Sequence, residues 1–121
     1  MTPASAATVI AALEVIKEEP ERIEKLWENT VYARNLLTQE GFDIGNTSTP
    51  IIPIKVGSDT KAYQYFALML EKGVYINCVV SPAVRTNEAI LRYSLMATHT
   101  KEMIHQSVDS LIRCRELLKR L

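Results

Sequence analysis

The side chain with the clearest potential for chemistry is Arg92, which lies in a predicted strand over residues 89–97. Side chains alternate along a strand, so Leu91 and Tyr93 point to one face and Arg92, beside Ser94, to the other. A guanidinium on an open sheet face is a good bidentate receptor for a carboxylate. Charged residues are mostly exposed without having a function, so the pattern alone favours a solvated arginine.

The other reactive residue types form no recognisable site. His99 and His105 are six residues apart and have no acidic cluster beside them, so we expect no metal site. The chain has neither a Gly-x-Ser-x-Gly nucleophile turn nor a Gly-rich phosphate loop, and we assign it no catalytic or cofactor-binding residue. For His99, a hydrogen bond to nearby backbone is favoured over catalysis. We interpret Tyr63, Tyr65 and Tyr75 as packing and rim residues.

Two helices are predicted ahead of the first strand. Residues 4–18 combine apolar side chains at helical spacing with small residues that suit close packing against another surface. Their apolar stripe is Val9, Ala12, Leu13 and Ile16. The second helix covers residues 20–40, with Pro20 in its first turn and Gly41 as its C-terminal stop. The apolar face predicted for it is Ile23, Leu26, Trp27, Thr30 and Leu37.

A strand over residues 51–56 comes next, and it is predicted to lie toward a sheet edge because Pro50 and Pro53 cannot donate ladder hydrogen bonds. Ser58 or Asp59 caps a third helix that ends at Lys72 and Gly73. The inward residues predicted for this helix are Ala62, Phe66, Met69 and Leu70. A second strand is predicted over residues 74–80, where the side chains alternate with a period of two.

Thr98 or Thr100 is predicted to cap the last helix. Its apolar stripe is Ile104, Val108, Leu111, Ile112 and Leu118. The element order predicts an α+β fold, in which a small three-stranded, mainly antiparallel sheet is covered on one face by helices. We interpret residues 1–121 as a single domain with a helical lead-in over residues 1–40 and a sheet-containing core over residues 49–121.

The composition is that of an ordinary globular domain, with 47% apolar and 23% charged residues. Fourteen basic and fourteen acidic residues cancel, so no polyanionic partner such as nucleic acid is implied. Cys78 and Cys114 form no redox or metal pair, and no signal peptide or membrane span is present, which together predict a cytoplasmic location. A helix is predicted almost at the first residue, which we interpret as a sign of a longer parent protein.

Several segments in order resemble one family, the C-terminal region of the pyridoxal-phosphate (PLP)-dependent α-oxoamine synthases. That family includes 8-amino-7-oxononanoate synthase, 2-amino-3-ketobutyrate CoA ligase and serine palmitoyltransferase. The resemblance covers nearly all 121 residues. It is carried by Glu19-Pro20, Asn29, Arg34, Leu37, Gly41, Thr49-Pro50-Ile51-Ile52-Pro53-Ile54, Gly73-Val74-Tyr75-Ile76, Ser81-Pro82-Ala83-Val84, Leu91-Arg92 and Ala97-Thr98-His99-Thr100.

The resemblance implies the small domain of a fold-type I PLP enzyme that condenses an amino acid with an acyl-CoA, as a homodimer when complete. It implies that Arg92 pairs with the substrate's α-carboxylate, and that PLP is held as a Schiff base on a lysine of a missing large domain. No lysine of this chain matches that position, so we expect no bound cofactor and no turnover by the chain alone. The lysines are Lys17, Lys25, Lys55, Lys61, Lys72, Lys101 and Lys119.

The chain departs from the family pattern in the loop before the last strand. Arg85 and Asn87 stand where the family usually has a proline and a glycine, and Ile90 stands where several members have arginine. The run from Ile90 to Arg92 is closer to the serine palmitoyltransferase style, which does not identify the substrate. Two alternatives remain open: a ferredoxin-like regulatory module that binds an amino acid at a dimer interface, and a bare protein-interaction domain.

Overall fold

The computed structural model describes all residues from 1 to 121 and contains four helices and one three-stranded sheet. The elements are α1 (Pro3–Glu18), α2 (Glu21–Gln39), β1 (Ile51–Gly57), α3 (Asp59–Glu71), β2 (Asn77–Val79), β3 (Ala89–Ser94) and α4 (Lys101–Lys119). The strand order is β1-β3-β2 and both pairings are antiparallel. The predicted fold class is therefore confirmed, as is the edge position of the proline-containing β1.

The core lies between one face of the sheet and helices α2, α3 and α4. Ile52 and Ile54 of β1 and Leu91 of β3 are fully buried there, as are Met69 of α3 and Leu111 of α4. Burying each such side chain contributes roughly 1.5–3 kcal/mol. No helix packs on the opposite face, which leaves every second residue of β3 open.

Helix ends follow local side-chain chemistry. Of the two caps considered for α3, Ser58 accepts from the Lys61 amide at 3.2 Å. Thr100 likewise caps α4 by accepting from the Met103 amide at 3.1 Å. Pro20 was predicted in the first turn of α2 but lies at its N-cap, so the helix begins one residue later, at Glu21. None of the four helices combines the length and apolarity needed to cross a lipid bilayer.

The second strand is shorter than predicted, because residues 74–76 do not join the sheet and β2 covers only Asn77–Val79. The backbone at Gly73 and Val74 instead closes the end of α3: the Val74 amide donates to the Met69 carbonyl at 2.9 Å, and the Gly73 amide donates to the Leu70 carbonyl at 3.0 Å. These donors satisfy carbonyls that the helix end leaves open. The predicted alternation survives, since Ile76 is buried and Tyr75 is exposed.

The third strand ends at Ser94, whereas the prediction extended it to residue 97. The Leu95 amide still donates to the Pro50 carbonyl at 3.2 Å, but the chain then turns. In that turn the His99 amide donates to the Met96 carbonyl at 3.2 Å. The strand prediction was wrong there because a turn stabilised by distant contacts replaces the sheet ladder.

Three predicted apolar faces are incompletely buried. Helix α1 has no buried residue, so its stripe of Val9, Ala12, Leu13 and Ile16 faces solvent. In α2 the predicted face is buried at Thr30 and Leu37 but not at Ile23 or Trp27, which are 43% and 42% exposed. In α3 the prediction was wrong for Leu70, because the inward face is set by Tyr65 and Met69, and the next residue is turned about 100° away.

Candidate functional site: an arginine on the open face of the sheet

Arg92 occupies the middle of the central strand, on the face that no helix covers. Its register partners are Pro53 on β1 and Asn77 on β2. The Arg92 side chain is exposed and makes no hydrogen bond or ion pair within the chain. The guanidinium donors are therefore all available to a ligand that approaches the open face.

The inward neighbours of Arg92 anchor its strand. Leu91 is fully buried, and the Tyr93 hydroxyl shares a 2.5 Å hydrogen bond with the Ser107 hydroxyl of α4. Burial raises the pKa of Tyr93, and the hydrogen bond to Ser107 partly offsets that rise. The Tyr93 phenol is therefore neutral. Because Leu91 and Tyr93 are fixed on the inner face, the backbone between them holds Arg92 toward the outer face.

A cleft of about 660 Å³ opens beside Arg92 where β2 stops short. Its polar lining includes Arg92, Asn77, Ser94 and His99, and its apolar lining includes Val74, Tyr75, Leu95 and Met103. A volume of this size suits a small organic ligand, and a few convergent polar groups in an apolar wall are typical of binding sites. No lysine lines the cleft.

His99 lies in the turn between β3 and α4, where its Nδ1 accepts a hydrogen bond from the Met96 amide at 3.0 Å. This confirms the local structural role predicted for it. His105 is on the exposed side of α4 and faces Asp109 at 3.2 Å. No group of three or more His, Cys, Asp or Glu side chains is arranged so that it could hold a metal ion.

The remaining candidates lie away from Arg92 or serve packing. Tyr65 is buried in the core, Tyr63 is exposed, and the Tyr75 ring packs edge-on against Phe66 with centroids 5.9 Å apart. Burial raises the pKa of Tyr65, while the nearby Arg115 lowers it in part. Cys78 and Cys114 are both free thiols.

Sequence reasoning gave no role to Asn29, whose side chain is completely buried in α2. Its amide nitrogen donates to two backbone carbonyls of the turn after β3, those of Met96 at 3.0 Å and His99 at 2.8 Å. One feature of the sequence could have indicated its role: at helical spacing, Asn29 lies on the same face of α2 as the apolar Leu26 and Ala33. A polar side chain in that place needs a buried partner.

Residues 1–111 match the family model for aminotransferase class I and II, so the chain belongs to that family. The serine palmitoyltransferase of Sphingobacterium spiritivorum is 45% identical over 113 residues, which cover 93% of this chain and 28% of that enzyme. The 8-amino-7-oxononanoate synthase of Symbiobacterium thermophilum is 40% identical over 116 residues, covering 95% and 30%. These names confirm the resemblance to the α-oxoamine synthases.

Solved structures agree on the fold. A structure of SPT with PLP aligns with a TM-score of 0.91 at 22% identity, covering 100% of this chain and 31% of that one. The Sphingomonas wittichii serine palmitoyltransferase aligns with a TM-score of 0.76 at 24% identity, covering 83% and 26%. The chain thus spans less than a third of the length of the relatives it matches.

The residues around Arg92 do not fit a complete PLP site. PLP enzymes hold the cofactor as a Schiff base on a lysine side chain. The cleft beside Arg92 is lined by no lysine that could form this bond. The same cleft is lined by the guanidinium of Arg92, the amide of Asn77 and the hydroxyl of Ser94. Groups of this kind can bind an anion such as a carboxylate.

Proposed function

We propose that the chain is the C-terminal small domain of a PLP-dependent acyltransferase of the α-oxoamine synthase type, in which Arg92 binds the α-carboxylate of the amino-acid substrate. The observation that carries the proposal is the unpartnered guanidinium at the centre of the uncovered sheet face. The family match supports the class of enzyme. The second substrate would be an acyl-CoA, with which the amino acid condenses.

In this proposal a larger domain of the complete enzyme closes over the open face and brings the cofactor and its lysine. PLP, when bound there, supplies an electron sink that lets the amino acid lose a proton or its carboxylate. The chain by itself would neither hold PLP nor turn over. The complete enzyme would act as a homodimer in a reducing compartment such as the cytoplasm, consistent with the two free thiols.

The proposed task of Arg92 is orientation. A bidentate pair between a guanidinium and a carboxylate fixes both the position and the plane of the carboxylate. Fixing that plane also fixes which bond at the α-carbon faces the reacting centre, and such positioning lowers the barrier by prepaying entropy. When a second domain covers the face, the loss of water strengthens the ion pair further.

The test uses the full-length enzyme with Arg92→Ala and Arg92→Lys. Losing a charged hydrogen bond costs about 1.5–3 kcal/mol, so the KM for the amino acid should rise about 10- to 100-fold in Arg92→Ala. Arg92→Lys keeps the charge but loses the fork and should fall between Arg92→Ala and the native enzyme. The KM for the acyl-CoA should stay within about twofold.

A matched control is Arg120→Ala, which removes an exposed arginine at the far end of α4. It should leave both KM values unchanged. An Arg92→Ala enzyme with native amino-acid KM and turnover would refute the carboxylate role.

A further inference from the structure

Asn29 joins helix α2 to the segment that follows the Arg92 strand. Its side chain is completely buried, and its amide nitrogen donates to the carbonyls of Met96 at 3.0 Å and His99 at 2.8 Å. These partners are 67 and 70 residues away in sequence. A single side chain therefore fixes both ends of one turn.

His99 closes the same turn from inside. Its Nδ1 accepts from the Met96 amide at 3.0 Å, and its own backbone amide donates to the Met96 carbonyl at 3.2 Å. We call Asn29, His99 and the bonded Met96 backbone the Asn29–His99 clamp. An Nδ1 that accepts this bond places the ring proton of a neutral imidazole on Nε2.

The clamp acts on the segment that follows the strand of Arg92, beginning at Met96. Strand β3 ends two residues after Arg92, the Leu95 amide is tied to the Pro50 carbonyl at 3.2 Å, and the clamp fixes the next residue. Upstream of this point, β1 and β2 hold the register on both sides of Arg92. Downstream of Arg92 the central strand is no longer paired with β2, and its pairing with β1 ends at Ser94. Beyond Ser94, the Pro50 bond and the clamp hold the backbone.

The clamp retains a feature that opposes folding. The Asn29 Oδ1 is buried and has no hydrogen-bond partner. An unsatisfied buried acceptor is destabilising, and an apolar residue of similar size would avoid it. The benefit of asparagine here therefore lies in its two donated hydrogen bonds and the turn they hold.

We propose that Asn29 and His99 are positioning residues for the amino-acid subsite: through the turn at residues 96–99 they set where β3 presents Arg92. This inference rests on the proposed carboxylate role of Arg92 and deepens it. His99 lines the same cleft as Arg92, so a displaced turn changes both the strand end and the cleft wall. Neither residue is assigned contact with the substrate.

The test is a pair of His99 substitutions in the full-length enzyme. His99→Asn keeps an acceptor near the position of Nδ1, and His99→Gln keeps a polar group near Nε2 instead. If the clamp positions Arg92, His99→Gln raises the amino-acid KM roughly tenfold, because a displacement of about 1 Å has effects of that order or larger. His99→Asn stays within about twofold of the native KM, and the KM for the acyl-CoA is unchanged in both.

Asn29→Ala supplies the second arm and should raise the amino-acid KM as His99→Gln does. A variant that merely lost stability would have less active enzyme, hence a lower maximal rate with both KM values intact. That result for Asn29→Ala and His99→Gln would overturn the inference. So would the reverse order of the His99 pair, which would mean that Nε2 contacts the ligand. If Asn29→Ala does not fold, the comparison of His99→Asn with His99→Gln still tests the inference, because His99 is only half-buried.

Different results would refute the carboxylate role of Arg92 and the positioning role of the clamp. If Arg92→Ala leaves the amino-acid KM unchanged, the carboxylate role itself is wrong. If Arg92→Ala raises it but Asn29→Ala and His99→Gln do not, the role stands and only the clamp is refuted.

Discussion

Arg92 and the two residues beside it form a row across the sheet that suits a carboxylate. Asn77 and Pro53 are its register partners, and directly opposed residues place their Cβ atoms about 4.5–5.5 Å apart. The Asn77 amide adds a neutral donor that does not repel the guanidinium. Pro53 adds no acceptor side chain that would occupy Arg92. The row therefore leaves the guanidinium free for an incoming anion.

Asn87 stands where the family usually has a glycine, and its backbone conformation explains why the family uses one. It adopts φ 64°, in the left-handed region that the family's usual glycine enters without strain. Asparagine tolerates this region better than other side chains do, so the loop keeps its shape. Asn87→Ala should lower the free energy of unfolding by about 1 kcal/mol, measured by urea denaturation.

The control for this prediction is Asn87→Gly, which should stay within about 0.5 kcal/mol of the native chain. Equal stabilities of the alanine and glycine variants would show that the backbone conformation at this position carries no cost.

At the scale of elements, α1 and the start of α2 present apolar surface that the chain does not bury. Val9, Ile10 and Leu13 are 48%, 58% and 51% exposed, and no residue of α1 is buried. A helix that is apolar on most sides is normally buried in a larger structure. We therefore propose that the large domain of the complete enzyme also packs against α1.

Hydrogen exchange of the isolated chain should therefore be fastest among the helices in α1. An isolated helix of this length is marginal in water, whereas α4 buries six of its residues. In the full-length enzyme the α1 amides should become protected. If α1 exchanged as slowly as α4 in the isolated chain, the helix would be stable without a partner and the packing proposal would lose its support.

The sequence predicted the type and order of every element, and it also predicted the face of Arg92, because these depend on local periodicity. The period of two around Leu91 and Tyr93 is visible in a few residues. The ends of β2 and β3 were not predictable in this way, since they depend on the closure of α3 and on contacts from Asn29. That residue is about seventy positions from its partners, and no local pattern encodes the contact.

At the scale of the whole molecule, three buried groups should make the folded chain less stable at alkaline pH. Burial is the main cause that raises the pKa of Cys114 above 9.0 and of Tyr65 and Tyr93 above 10.0. Each group is neutral when protonated, and the folded chain holds its proton more tightly than the unfolded chain does. The stabilisation is complete below the unfolded pKa and is lost as pH rises toward the folded one.

The free energy of unfolding should accordingly fall as the pH rises above about 9, measured by urea denaturation at a series of pH values. Tyr93→Phe removes one of the three groups, so its stability should fall less steeply over the upper part of this range. A native chain whose stability is flat in alkali would show that these groups are not desolvated as the fold indicates.

The most direct measurement of the central claim compares two ligands on the full-length enzyme: the amino-acid substrate and its methyl ester, which lacks the carboxylate charge. Binding is followed through the visible absorbance of bound PLP in native enzyme and in Arg92→Ala. We predict that Arg92→Ala weakens binding of the free acid about 10- to 100-fold and leaves binding of the ester nearly unchanged. Equal weakening of both ligands, or of neither, would contradict the assignment of Arg92 to the carboxylate.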